Sequence, residues 1–143
     1  MMRVFIDTNV LVDMMDRSRP SHAASKVVLR AAEDGRITLL LTGMTLVNAL
    51  YALRRAGLDQ KKRANVVGII LSIAEVASTD MPQLQAALNS SWSDFEDAVQ
   101  YHAALSAGRV QYIVTSDRNG FKGSRIPVLT PEKFVATHLS GDQ

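Results

Sequence analysis

Short apolar runs alternate with longer amphipathic stretches along the whole chain. Runs with the length of β-strands cover residues 2–6, 37–41, 75–78, 112–115 and 128–129. Helical spacing of apolar positions covers residues 22–33, 45–56, 60–73, 82–88 and 94–107, and a further helix is expected to open at 10–12. Because strands and helices alternate, the pattern predicts an α/β fold with a parallel sheet covered by helices on both faces.

The predicted helices are bounded by residues that commonly start or stop a helix. Gly57 and Gly108 follow two predicted C-termini, and Pro82 occupies the first turn of a brief helix. Ser93 is predicted to cap the helix that spans residues 94–107.

The composition is typical of a globular protein. Of the 143 residues, 47% are hydrophobic, 21% are charged and none is cysteine. No repeat or linker divides the chain, so one domain is predicted over residues 1–139, with a flexible polar tail at 140–143. No apolar run has the length of a membrane span, and the N-terminus lacks the pattern of a signal peptide. We therefore expect a cytoplasmic protein without disulfides, thiolate metal sites or a membrane partner.

The net charge of +2 is too small to indicate nucleic-acid binding by itself, but the charges are unevenly placed. Three acids lie within residues 94–97, and a basic cluster over residues 54–63 consists of Arg54, Arg55, Lys61, Lys62 and Arg63. This cluster has two interpretations: solvated helix ends, where cations favour a C-terminus, or contacts to the phosphates of an RNA substrate.

Four aspartates are predicted to meet at one edge of the sheet. Asp7 directly follows the first strand, and Asp117 follows the strand at 112–115 after one intervening residue. The helix that starts at Asp94 leads into that strand and runs antiparallel to it, so its first turn, with Asp94 and Asp97 on one face, lies at the same edge. In open α/β sheets, active sites lie beyond the carboxyl ends of the strands. The pattern therefore predicts an acidic site.

Clustered carboxylates repel one another, and hard divalent cations relieve that repulsion. Such a cation lowers the pKa of a bound water and stabilises charge on a phosphoryl group. Zinc is not indicated, because cysteine is absent and His22, His102 and His138 lack the spacing of metal ligands. The predicted chemistry is Mg²⁺- or Mn²⁺-assisted hydrolysis of a phosphodiester.

Each acid also has a purely structural interpretation. Asp7 is placed to cap a helix that begins at Thr8, and Asp94 is placed to interact with the dipole of the helix predicted over residues 94–107. Asp117 lies in a polar stretch that an ordinary turn would also produce. Asp97 stands among apolar neighbours, where a buried acid without a partner is costly, and this favours a functional role.

Four segments, taken in order, resemble the PIN-domain family. Residues 5–13 (FIDTNVLVD) are similar to its opening strand and first acid, and residues 94–104 are similar to the helix with its third acid. Residues 112–121 (YIVTSDRNGF) are similar to its fourth strand and final polar loop, and residues 126–134 (IPVLTPEKF) fit its usual ending. The set spans nearly the whole chain, so the resemblance is fairly specific.

The resemblance implies one domain in which a central sheet of about five parallel strands is flanked by helices, an α/β/α sandwich. It also implies a VapC-like toxin, which is a metal-dependent endoribonuclease of a toxin–antitoxin pair. Asp7, Asp97 and Asp117 would then be catalytic residues and ligands of Mg²⁺ or Mn²⁺, with Asp94 as a further acid. An RNA substrate, a cognate antitoxin and a homodimer are the partners to expect.

Two positions depart from the family pattern. The family usually has a glutamate on the helix after the second strand, where this chain has Asn48. The carbonyl oxygen of Asn48 can bind metal without adding charge, so we expect either weaker metal affinity or compensation by Asp94. Gly120 stands where the family often has an acid, which leaves Asp117 alone in the last loop.

Two other functions fit parts of the sequence. A catalytically silent PIN scaffold that binds RNA or a partner protein is motivated by Asn48, and it predicts RNA binding without cleavage. A phosphatase of the haloacid dehalogenase type is suggested by a strand that ends in Asp7, but its nucleophile loop needs a second acid where Asn9 stands.

Overall fold

A computed structural model of the chain describes residues 1–140 and contains one five-stranded sheet with the order β3-β2-β1-β4-β5. The strands are β1 (Met2–Ile6), β2 (Ile37–Thr42), β3 (Ala74–Ala77), β4 (Tyr112–Val114) and β5 (Val128–Leu129). All four neighbouring pairs are parallel. The predicted parallel sheet is therefore confirmed, while residues 141–143 of the predicted tail lie outside the described residues.

Helices connect the strands and cover the sheet. They are α1 (Thr8–Met15), α2 (His22–Glu33), α3 (Gly43–Arg55), α4 (Gln60–Ile73), α5 (Met81–Leu88), α6 (Phe95–Ala107) and α7 (Pro131–Phe134). A 3-10 turn spans Arg118–Phe121, and a π-helical turn spans Val135–Leu139. None of the helices within residues 1–140 is both long and apolar enough to cross a membrane.

The central strand β1 is buried on both faces, as its continuous apolar run predicts. Val4 and Ile6 belong to the larger core, which also takes side chains from α1, α2, α3 and α4. Phe5 points to the opposite face and packs with Tyr101 and Ala104 of α6. Neighbouring side chains on a strand alternate between faces, so one short strand joins both helical layers and fixes where its carboxyl end lies.

The start of α6 differs from the prediction. The helix begins at Phe95, and its cap is Asp94 rather than Ser93, because Oδ1 of Asp94 accepts a hydrogen bond from the N–H of Asp97 at 2.9 Å. A carboxylate accepts a stronger hydrogen bond than a hydroxyl and also interacts favourably with the helix dipole. The prediction for Ser93 was therefore wrong, and its correction places a carboxylate at the entrance to α6. Gly108, with φ of +78°, ends the helix as predicted.

Candidate active site

Asp7 lies at the carboxyl end of β1 and is buried, with 6% of its surface exposed. It caps α1 by accepting a hydrogen bond from the N–H of Thr8 at 2.7 Å. The same Oδ1 atom accepts a hydrogen bond from Nε2 of Gln100 at 3.1 Å, and Oδ2 accepts one from Oγ1 of Thr115 at 2.8 Å. Three donors, from α1, from α6 and from the residue after β4, thus fix the orientation of this carboxylate, which both caps a helix and belongs to a buried polar network.

Two residues that the sequence analysis did not single out hold Asp7 in position. Gln100 is 1% exposed, and its Oε1 accepts a hydrogen bond from Oγ1 of Thr45 at 3.2 Å. Thr115 is fully buried, and its hydroxyl oxygen accepts a hydrogen bond from the N–H of Asp117 at 3.0 Å. Two features of the sequence could have indicated them: Thr115 is a polar residue at the end of an apolar strand, and Gln100 is a polar residue on the inner face of α6. The network therefore connects Asp7 to the backbone that presents Asp117.

Asp97 and Asp117 approach each other across Gly120. Asp97 lies in the first turn of α6, and Asp117 follows β4. A side-chain carbon added to Gly120 would lie 2.5 Å from Oδ2 of Asp97 and 3.4 Å from Oδ2 of Asp117. Both carboxylates thus border the same small space, which stays open only because residue 120 is a glycine. The structure therefore brings these two acids together, as the sequence predicted.

The acidic site carries a concentrated negative charge. Burial, and then the charges of Asp7, Asp94, Asp117 and Glu96, raise the pKa of the Asp97 carboxyl to about 7. Neither of the two ion pairs found within residues 1–140 includes any of these five acids. The carboxylates therefore repel one another, and no protein cation is paired with them in the described part of the chain.

The donor set fits a hard divalent cation, because it consists of carboxylate oxygens at a site of excess negative charge. In the part of the chain that the structure describes, no three acidic or histidine side chains already surround one metal position. Both oxygens of Asp7 already accept hydrogen bonds, from Gln100 and from Thr115. A cation bound here would be held by Asp97 and Asp117, with Asp7 beside them.

Asn48 and Asp94 lie at the rim of the acidic site and have hydrogen bonds of their own. Nδ2 of Asn48 donates to Oε1 of Glu96 at 3.0 Å, so this α3 side chain faces the first turn of α6. Oδ1 of Asp94 is occupied as the cap of that helix. A role for Asn48 as a metal ligand and for Asp94 as a catalytic acid stays a prediction.

The structure does not bring the predicted basic cluster of residues 54–63 to the acids; because it lies at the end of α3 and the start of α4, we call it the α3–α4 basic cluster. Arg54 and Arg55 end α3, a helix of 13 residues that begins directly after β2 at the acidic edge. At about 1.5 Å per residue, they lie on the order of 20 Å along the axis from that edge. Lys62 lines a cleft with Met15, the last residue of α1. Because α1 leads away from the acidic edge, RNA contacts by this cluster stay a prediction with no support from proximity.

A parallel sheet with carboxylates gathered at its carboxyl edge places the protein among α/β proteins with an acidic, oxygen-rich site. A family model described as the PIN domain matches residues 3–119. The chain belongs to the PIN-domain family, as its sequence resemblance indicated.

Several known proteins are similar to this chain. Ribonuclease VapC1 of Aquifex aeolicus (strain VF5) is 28% identical in an alignment of 137 residues, which covers 92% of this chain and 92% of its own. The Mycobacterium tuberculosis VapC20 structure, described as a sarcin-ricin loop cleaving toxin, is 14% identical with a TM-score of 0.66, over 84% of this chain and 94% of its own. The structure of VapBC2 from Rickettsia felis is 16% identical with a TM-score of 0.58, over 90% of this chain and 97% of its own. At such identities the two structures show a shared fold.

Proposed function

We propose that this protein is an endoribonuclease that hydrolyses RNA phosphodiester bonds with Mg²⁺ or Mn²⁺ held at the acidic site. The observation that carries the proposal is the convergence of Asp7, Asp97 and Asp117 at one edge of the sheet, where burial and then the surrounding charges raise the pKa of Asp97 to about 7. The relative named Ribonuclease VapC1 supports the same activity.

In this proposal, Asp97 and Asp117 hold the metal, and Asp7 completes the set from the buried side. A metal held there would supply a water of lowered pKa and would stabilise the negative charge that develops on the phosphoryl oxygens. Gln100 and Thr115 are positioning residues, because they hold the carboxylate of Asp7 through hydrogen bonds of 3.1 and 2.8 Å.

We extend the proposal to a cytoplasmic toxin with a cognate antitoxin, and to a homodimer. VapC20, a toxin with the same fold, supports the first part. Apolar side chains exposed on α3 and α5, such as Tyr51 at 62% and Leu88 at 73%, are surfaces that protein partners commonly cover. Light scattering of the purified chain, alone and with the product of a small neighbouring gene, would measure both associations; a monomer in both samples would reject them.

RNA cleavage is the direct test of the proposed activity. Purified wild type is incubated with a structured RNA and Mg²⁺, Mn²⁺ or EDTA, alongside Asp7→Asn and Asp97→Asn. We expect cutting with either metal, none in EDTA, and a loss of rate on the order of 10²-fold or more in both variants. Glu33→Gln, at the exposed end of α2, is the matched control and should cut like wild type. Full activity in Asp7→Asn would reject the assignment.

A silent RNA-binding scaffold is the second candidate function. Asn48 motivates it, because this side chain contributes no charge at the position where the family usually has a glutamate, and in the structure it is hydrogen-bonded to Glu96. This candidate predicts that folded wild type binds RNA with either metal but never cuts it. That outcome, across several RNAs, would replace the nuclease proposal.

A further inference from the structure

The loop that joins β4 to β5 forms an open groove of about 440 Å³ beside the acidic site. Its lining includes Arg118, Asn119, Lys122 and Arg125, together with the buried Phe121 and Ile126. Three of these lining residues are cations with exposed side chains, and none is an acid. A surface of this kind attracts a polyanion.

The groove has a fixed shape because its loop is anchored to the core. Phe121 and Ile126 are buried, at 1% and 8% exposure, and pack with the second core cluster. The backbone N–H of Arg125 donates to the hydroxyl of Tyr101 at 3.0 Å. Oγ of Ser124 accepts a hydrogen bond from the N–H of Ile126 at 3.0 Å. A ligand would therefore meet a surface that needs little ordering, which favours affinity.

The groove adjoins the acidic site through residues of the same loop. Asn119 and Lys122 line both the groove and a neighbouring cavity of about 300 Å³. Gly120 lines that second cavity, and it is also the residue whose added side-chain carbon would meet Asp97 and Asp117. A chain that enters at the acids can therefore continue along the cations without leaving the surface.

The three cations of the groove are available for a ligand. Neither of the two ion pairs within the described residues includes Arg118, Lys122 or Arg125. The nearby carboxylates repel phosphates, and opposite charges a short distance along the same surface would offset that repulsion.

We propose that this groove, which we call the β4–β5 groove, binds the sugar–phosphate backbone of RNA next to the bond that is cut. The inference rests on the proposed nuclease function and specifies where its substrate lies. Arg118, Lys122 and Arg125 contact phosphates on one side of the acidic site. The α3–α4 basic cluster, which is denser in the sequence, lies at the far ends of α1 and α3 and does not share this surface.

Salt-dependent RNA binding tests the groove separately from catalysis. The probe is a 5′-fluorescein-labelled, single-stranded RNA of twenty nucleotides, measured by anisotropy in EDTA over a range of KCl concentrations. For single strands, each phosphate contact contributes about 0.7 to the slope of log K against log salt. The triple variant with Arg118→Gln, Lys122→Gln and Arg125→Gln should therefore lose about 2 from the slope and about 100-fold in affinity at 0.1 M salt.

Two further variants make the result specific. The matched control, with Arg54→Gln, Lys61→Gln and Lys62→Gln, removes the same charge from the α3–α4 basic cluster and should keep the wild-type slope. A variant with Arg118→Lys and Arg125→Lys keeps the charges of the groove and should also keep that slope. This result would show that the triple variant loses affinity through its missing charges and not through a misfolded loop.

An unchanged slope in the triple groove variant, or a loss confined to the control, would overturn the inference. The proposed function fails separately: wild type that binds RNA through the groove but cuts nothing in Mg²⁺ or Mn²⁺ would retain the groove and reject the nuclease.

Discussion

Asp97 should destabilise the metal-free protein, and replacing it with asparagine should reverse that effect. The pKa of its carboxyl is raised from 3.8 to about 7, first by burial and then by the surrounding acids. A shift of about 3 units, at about 1.4 kcal/mol per unit, sets a ceiling of about 4 kcal/mol on the cost of ionising this group. Asp97 is only partly buried, so solvent screening reduces the expected cost to about 1–2 kcal/mol.

The direction of the effect follows from the sign of the shift. A folded-state pKa above the unfolded value means that the folded protein holds its proton more tightly. The bound proton of Asp97 therefore makes a favourable contribution to the free energy of unfolding. That contribution is complete below about pH 4 and is lost as the pH rises through about 7. In EDTA at pH 8, Asp97→Asn should therefore be more stable than wild type, with a Tm higher by about 3–7 °C. At pH 4 the difference should disappear.

Thermal unfolding followed by circular dichroism, in EDTA and from pH 4 to 8, measures this directly. Glu33→Gln removes a carboxylate from the exposed end of α2 and should not alter the pH dependence of wild type. Mg²⁺ should raise the Tm of wild type more than that of Asp97→Asn, since the variant has lost a ligand. A variant less stable than wild type at pH 8 in EDTA would refute the reasoning.

Two smaller predictions follow from close contacts. Gly120→Ala should weaken metal binding by about 10-fold, because its added carbon would displace the Asp97 side chain. The loss of stability should be small, since that side chain is short and can rotate. Gly68→Ala, whose added carbon would have no neighbouring atom within 4 Å, is the control in the metal titration. Arg19→Gln should lower the free energy of unfolding by about 3 kcal/mol, because it leaves Asp13 charged, 3% exposed and without its ion pair. Asp13→Asn should cost only about 1 kcal/mol, because the side chain of Arg19 is 39% exposed and stays solvated. Equal losses in chemical denaturation would contradict this asymmetry.

The sequence was informative about the fold and the acids because both follow from local patterns and one topological rule. Continuous apolar runs such as Val4 to Ile6 indicate strands covered on two faces, and the structure buries them in two cores. Parallel strands end at a common edge, so the spacing of Asp7 and Asp117 from their strands was enough to bring them together.

The parts that could not be predicted depend on contacts between distant segments. Gln100 and Thr115 bond to Asp7 across separations of 93 and 108 residues, and nothing local marks those pairings. Ser93 and Asp94 are both good caps in sequence, and only the structure shows that the helix begins after the second.

The sequence analysis did not single out the cations of the β4–β5 groove, although it did single out the α3–α4 basic cluster. Arg118, Lys122 and Arg125 are dispersed within a polar loop, while the cluster is dense in sequence. Proximity to the acids comes from the 3-10 turn after β4 and from anchoring by Tyr101, neither of which is visible in composition.

Binding of Mn²⁺, measured by electron paramagnetic resonance, tests most directly whether the converging aspartates form a metal site. We predict that wild type binds Mn²⁺ in competition with Mg²⁺, and that Asp7→Asn, Asp97→Asn and Asp117→Asn each weaken binding on the order of 10-fold or more. Glu33→Gln should bind like wild type. Equal binding by wild type and all three aspartate variants, or no binding by folded wild type, would contradict the account.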